Sequence, residues 1–166
     1  MVERDIVVDR MKIEYEGLFS ARDLYKLIDN WLFEKGYDKR EKQSSESVKP
    51  TGKHVEMELE PWKKVTDYAK NVIWMRIILE DVKEVEIEKD DAKVKLNQGK
   101  VHIVFKGFLE TDYEHRWEGK PIFYFIRTVF DKFIYKPFTV GFKQGVREDV
   151  VHLHTQIKAF LNLYRY

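Results

Sequence analysis

Val72-Ile-Trp-Met-Arg-Ile-Ile-Leu79 decides the fold class. Apart from Arg76 the run is apolar on both parities. That pattern marks a central strand covered, at least in part, on both faces of a sheet. Arg76 is expected to project from a sheet face into water, because an unpaired buried charge is costly. Upstream, Val55, Met57 and Leu59 alternate with Glu56, Glu58 and Glu60, which predicts a strand with a wholly acidic outer face, ended by Pro61. Downstream, Val85 and Ile87 continue the alternation and Lys89-Asp-Asp turns the chain. Val94 and Leu96 form a short strand, Asn97-Gln-Gly reads as another turn, and Val101, Ile103 and Phe105 alternate with His102, Val104 and Lys106. Turns this closely spaced imply hairpins, hence antiparallel pairing. Tyr113, His115 and Trp117 share one parity and extend the pattern to a further strand, bent at Gly107.

Towards the N-terminus, Met11, Ile13 and Tyr15 alternate with Lys12, Glu14 and Glu16 until Gly17. Ser20 then stands as an N-cap with Asp23 three residues on, and Phe19 and Leu24 occupy the two positions of a hydrophobic staple. Leu24, Leu27, Ile28, Trp31 and Leu32 repeat at helical spacing, and Gly36 closes the helix. Residues 38–53 are polar and read as an exposed edge strand or a mobile loop, with a turn at Lys49-Pro-Thr-Gly. Towards the C-terminus, Pro121 opens an aromatic helix carrying Phe123, Phe125, Phe130 and Phe133, and Pro137 stops it. Phe138 to Gly145 reads as an irregular connector. A last helix buries Val150, Leu153, Ile157, Phe160, Leu161 and Tyr164.

Strands grouped between terminal helices predict one α+β domain over residues 1–166. Its curved antiparallel sheet would have six or seven strands, with one N-terminal and two C-terminal helices packed on one face. This element order resembles the helix-grip arrangement of the START and polyketide-cyclase-like families. There a curved sheet wraps a long C-terminal helix around a cavity for an apolar ligand. No motif of those families is matched, and the aromatic helix before the last one departs from them.

The 166 residues are 43% hydrophobic and 36% charged, which describes a folded chain with a heavily charged surface. Zero cysteines exclude disulfides, thiolate metal sites and a cysteine nucleophile, and fit a reducing cytoplasm. Lys and Glu dominate the charge while Asn and Gln are few, a composition that leans towards a thermophilic source. No apolar signal core follows the N-terminus. The longest apolar stretches fall short of the roughly 20 residues that span a bilayer, so no membrane is expected.

No reaction class is written in the residues: there is no G-x-S-x-G, no P-loop and no dinucleotide-binding glycine fingerprint. His152 and His154 are two apart on a predicted helix and cannot share a metal, so no metal or other cofactor is expected. Gly141-Phe-Lys-Gln-Gly145 reads either as a flexible connector or, with Lys143 and Arg147 at a helix start, as a phosphate cradle. The charge is uneven. Lys120 to Tyr166 carries eight cations against three acids, a net +5, whereas the whole chain is +1, which leaves −4 on the rest. At ~100° per residue Arg147, His154, Lys158 and Arg165 align as a stripe beside the apolar face of the last helix. With Lys132, Lys136 and Lys143 nearby, such a stripe suits a phosphate backbone.

The reading is therefore a non-enzymatic binding protein that docks on RNA or a ribonucleoprotein such as a ribosomal subunit. Lys132, Lys136, Lys143, Arg147, Lys158 and Arg165 are its phosphate contacts, and Phe123, Phe130 and Phe133 are the interface of a homodimer. The alternative is a helix-grip carrier with an apolar small molecule between sheet and C-terminal helix.

Overall fold

The structure, a computed structural model, describes residues 3–111 and 136–164, and the side chains of 3–111 and 141–164. The fold is α+β. Six antiparallel strands, β1 (Glu3–Phe19), β2 (Glu41–Lys49), β3 (Gly52–Leu59), β4 (Trp62–Lys64), β5 (Ala69–Lys89) and β6 (Ala92–Thr111), form one sheet. Helix α1 (Ala21–Lys35) follows β1, and α2 (Lys136–Asn162) follows β6 and the undescribed residues. The strand order is β1-β6-β5-β3-β2, so the first and last of the described strands are neighbours; β4 pairs β5 beyond the end of β3.

Strand parity puts one apolar face on the helices. Register brings Met11, Phe105, Met75 and Leu59 into one row across four strands. The next rows are Ile13, Ile103, Ile77 and Met57, then Tyr15, Val101, Leu79 and Val55. Leu24, Ile28, Trp31 and Leu32 of α1 and Val146, Val150, Leu153, Ile157 and Leu161 of α2 join these rows in one buried cluster. Gly107 lets α2 close on the sheet. A methyl group there would stand 2.9 Å from Val146 and 3.0 Å from Val150, so the helix backbone comes nearer than an alanine would allow.

A second set of glycines surrounds a bulge. Asp81 in β5 takes a left-handed φ of 55° where the register with β6 slips between Glu80 and Lys83. On one side Gly52 of β3 lies against the Asp81 backbone, and on the other Gly99 of β6 lies against Glu80 and Val82. Gly17 of β1 pairs with Gly99, which continues the row across the sheet. A bulge bends its strand and increases local twist, and here the neighbouring strands follow because they present no side chain at the bend.

The α1 signals hold. Ser20 accepts from the Asp23 amide at 3.2 Å, Phe19 and Leu24 are buried, and Gly36 closes the helix at φ 79°. Within 38–53, residues 41–49 are an edge strand exposed along its whole length, joined to β3 by a turn at Pro50-Thr51.

Three expectations are corrected. Asn97-Gln-Gly is no turn: all three residues pair with β1 and lie within the β5–β6 ladder, and the Asn97 side chain accepts from the Ala21 amide at 2.9 Å. Glu60 does not sit on an acidic outer face; it is 5% exposed, among cations from distant sequence. Phe138 to Gly145 is no irregular connector: 138–145 are helical, and Pro137 lies in the first turn of α2 as described, where a proline is tolerated. The aromatic helix with Phe123, Phe130 and Phe133 and the strand at 113–117 lie outside the described residues.

Gly141 and Gly145 are thus interior helix positions with nothing among the described residues within 4 Å of an added methyl group. Each Gly→Ala change is expected to stabilise the fold by up to about 1 kcal/mol. Thermal unfolding of Gly145→Ala checks this; a lower midpoint than the parent would contradict an uninterrupted α2.

Candidate nucleic-acid interface

The cations of α2 are placed by the way the helix is gripped from both sides. Its buried positions recur at 146, 150, 153, 157 and 161, which fixes its rotation on the sheet. At ~100° per residue Lys143, His154, Arg147 and Lys158 then lie within roughly 60° of one another on one flank. Glu148 falls on the far side, where it hydrogen bonds Gln144 at 3.2 Å.

The cationic flank borders β1, an edge strand among the described residues. The His154 Nε2–H donates to the Lys12 carbonyl at 3.0 Å, since a carbonyl only accepts. The same ring meets Phe105 edge-on with centroids 5.8 Å apart. Lys143 pairs with Asp5 at 3.2 Å. Arg147 and Lys158 are exposed, and neither has an acidic partner among the described residues. They stand ~16 Å apart along the axis at ~1.5 Å per residue.

The opposite flank is a polar seam. Tyr37 donates to Asp149 at 2.7 Å, Lys63 reaches the same carboxylate at 3.4 Å, and Trp31 Nε1–H donates to His152 Nδ1 at 2.7 Å. The Trp31 and Tyr37 rings stack with centroids 5.7 Å apart, and Lys63 stands over Tyr37. Burial, reinforced by the Asp149 carboxylate, pushes the Tyr37 hydroxyl far above its usual range, so it stays a donor. The two histidines of H-x-H therefore serve opposite sides of α2, one on α1 and one on β1. Neither this seam nor the His154 contact announces itself in the sequence; Tyr37 and Asp149 are 112 positions apart.

A second charged group lies at the far end of β1. Arg4 donates to Glu60 at 2.8 Å and Glu110 at 3.0 Å, Lys42 pairs with Glu60, and Lys70 lies 3.7 Å from Glu110. Burial alone would push the Glu60 carboxyl up, but Lys42 and Arg4 outweigh it and hold the group below its usual range. For Arg4 likewise, burial opposes the charge and the two carboxylates more than compensate. These groups hold ions in fixed pairs, an arrangement that ties β1 to the β3–β4 junction. Arg76, as expected, is exposed and pairs with Glu56 across the strands.

Of the six cations named from the sequence, the structure describes the side chains of Lys143, Arg147 and Lys158 and brings all three to one flank. Lys136 is the first residue of α2 with its side chain undescribed, and Lys132 and Arg165 lie outside the described residues. No group of three or more His, Asp or Glu that could hold a metal occurs among the described residues, and no described helix is long and apolar enough to cross a membrane. Comparison of the chain with protein-family models, with curated proteins and with solved structures finds no match.

Proposed function

We propose that this is a cytoplasmic, non-enzymatic binding protein whose C-terminal helix docks through its basic flank on an anionic macromolecule, RNA or a ribonucleoprotein such as a ribosomal subunit. The observation that supports this best is the pair Arg147 and Lys158: exposed, without acidic partners among the described residues, and on one side of a single uninterrupted helix. Several cations on the sheet are by contrast engaged in pairs, as in Lys53 with Glu46, Arg76 with Glu56 and Lys100 with Asp81. Contacts made by point charges along a helix position a phosphate chain without reading its sequence. Lys132, Lys136 and Arg165 extend the same reading. Lys143 contributes less, because Asp5 already offsets its charge. The test is capture of the protein's partners from its own cells with and without ribonuclease. Nucleic acid that co-purifies, and is absent with an Arg147→Ala/Lys158→Ala/Arg165→Ala variant, supports the reading; a ribonuclease-insensitive result with no bound nucleic acid removes it.

The second reading is a helix-grip carrier of an apolar small molecule. It draws on the adjacency of the first and last described strands and on a cleft of about 170 Å³ beside Tyr25, Ile28, Met57, Leu59 and Ile77. That cleft is smaller than the ~300 Å³ at which ligand pockets begin. The close seat of α2 on Gly107 also leaves no room between helix and sheet at that point. A co-purifying lipid in native mass spectrometry would favour this reading over the first.

A further inference from the structure

The basic flank of α2 does not end at the helix. α2 runs along β1, from the Lys143–Asp5 pair at 3.2 Å to the His154 bond with the Lys12 carbonyl at 3.0 Å, and Arg147 stands between these two contacts in sequence. Lys12 itself is exposed. Its neighbours Met11 and Ile13 pair with Phe105 and Ile103 on the face that packs against the helices. Alternation therefore turns the Lys12 side chain to the other face of the sheet. The positive charge thus passes over the β1 edge.

On that outer face Lys12 pairs with Val104, and Lys106 lies two residues further along the same side of β6. Diagonal neighbours of this kind stand about 7–8 Å apart. Lys106 pairs in turn with Trp74 of β5, and its ammonium lies 5.2 Å from the centroid of the indole ring. Neither Lys12 nor Lys106 has an acidic partner among the described residues. The acids beside Trp74 are engaged: Glu58 accepts from the Trp74 Nε1–H at 2.7 Å, and Glu56 pairs with Arg76. Glu14 is exposed one row further along β1, on the side away from Trp74. The bulge on the near side holds one charge of each sign, Asp9 and Arg10. Trp74 is thus a partly exposed indole, held at its N–H and lying under a lysine.

Cations that lead from a helix over a strand edge to a tryptophan suit a single strand. Its phosphates follow the cations while an unpaired base lies on the ring. A duplex offers the phosphates but keeps its base faces stacked inside. Base–aromatic stacking is stronger than an exposed cation–π pair, so an arriving base displaces the Lys106 ammonium from the ring and leaves it to meet the adjoining phosphate.

We infer that the nucleic acid held by α2 is single-stranded RNA, that Trp74 stacks one of its bases, and that Lys12 and Lys106 carry its phosphates across the β1 edge. The inference rests on the reading of α2 as a nucleic-acid interface and adds to it the form of the nucleic acid and three residues of the sheet.

Fluorescence anisotropy with a labelled RNA single strand, and with the duplex of the same sequence, tests it. Trp74→Leu should weaken single-strand binding at least about fivefold, the lower end of what one stacked base contributes, and leave duplex binding and circular dichroism as in the parent. Trp74→Phe, which keeps an aromatic face, should recover most of that loss. Lys12→Ala/Lys106→Ala should make the salt slope for the single strand shallower by about 1.4, at ~0.7 per phosphate. A Trp74→Leu loss of equal size on strand and duplex would overturn the inference. So would single-strand binding that is indifferent to Trp74→Leu and to the lysine pair but lost in Arg147→Ala/Lys158→Ala, a result that leaves the α2 interface in place. A parent that binds neither form removes the interface and the inference together.

Discussion

Gly52→Ala is expected to lower the unfolding free energy by about 3 to 5 kcal/mol, by adding overpacking to backbone strain. The glycine has φ 138°, a conformation that alanine rarely adopts. Its new methyl group would also stand 2.6 Å from the Asp81 carbonyl carbon and 2.9 Å from the Asp81 oxygen and the Val82 nitrogen. Those are backbone atoms of a central strand at a bulge, so they cannot move without disturbing the pairing of β5 with β6. Gly99→Ala is the useful comparison. Its methyl group meets the Glu80 carbonyl at 2.9 Å but its φ is not left-handed, so only the steric part remains, about 1 to 3 kcal/mol. At roughly 2 to 4 °C per kcal/mol for a chain of this size, the two midpoints should fall by distinguishable amounts. If Gly52→Ala melted with the parent, the bend around Asp81 would not be built as described.

Phe105→Ala should be as severe, about 3 to 5 kcal/mol. Phe105 is fully buried in the row that joins Met11, Met75 and Leu59. Its ring also supports His154, which holds the basic flank of α2 against β1. The substitution therefore removes both core volume and the seat of the helix. Denaturant unfolding should show a lower midpoint, and hydrogen exchange should show α2 amides opening before those of β5. A cost under about 1 kcal/mol would mean that the site collapses freely around the smaller side chain, and that α2 is not seated on this row.

What was legible in the sequence was local. Ser20, Asp23 and Gly36 act within a few residues of themselves, and the alternations of β1, β3, β5 and β6 report a buried face directly. Tertiary pairing overrode the rest. Asn97-Gln-Gly has turn composition, yet its glycine is needed because β5 bulges beside it. Pro137 and two glycines read as a break. A proline in the first turn and glycines on an open face still permit a helix whose Val146, Val150 and Leu153 are buried. Residues 41–49 carry no apolar periodicity because neither face of β2 is covered, so alternation had nothing to report. Glu60 continued the parity of Glu56 and Glu58, and only folding brings Arg4 and Lys42 to it. For the candidate interface, helical spacing alone aligned Arg147, His154 and Lys158. The tethering of Lys143 by Asp5 and of His154 by Lys12 depends on β1, more than a hundred residues away.

Affinity for a mixed-sequence single-stranded RNA, followed by fluorescence anisotropy over a salt series, tests the docking surface most directly. The logarithm of the association constant should fall linearly with the logarithm of salt concentration. The Arg147→Ala/Lys158→Ala/Arg165→Ala variant should bind more weakly, with a slope shallower by about 2, at ~0.7 for each phosphate that the three alanines leave unneutralised. Binding that ignores salt, is absent, or is the same in parent and variant would contradict the account.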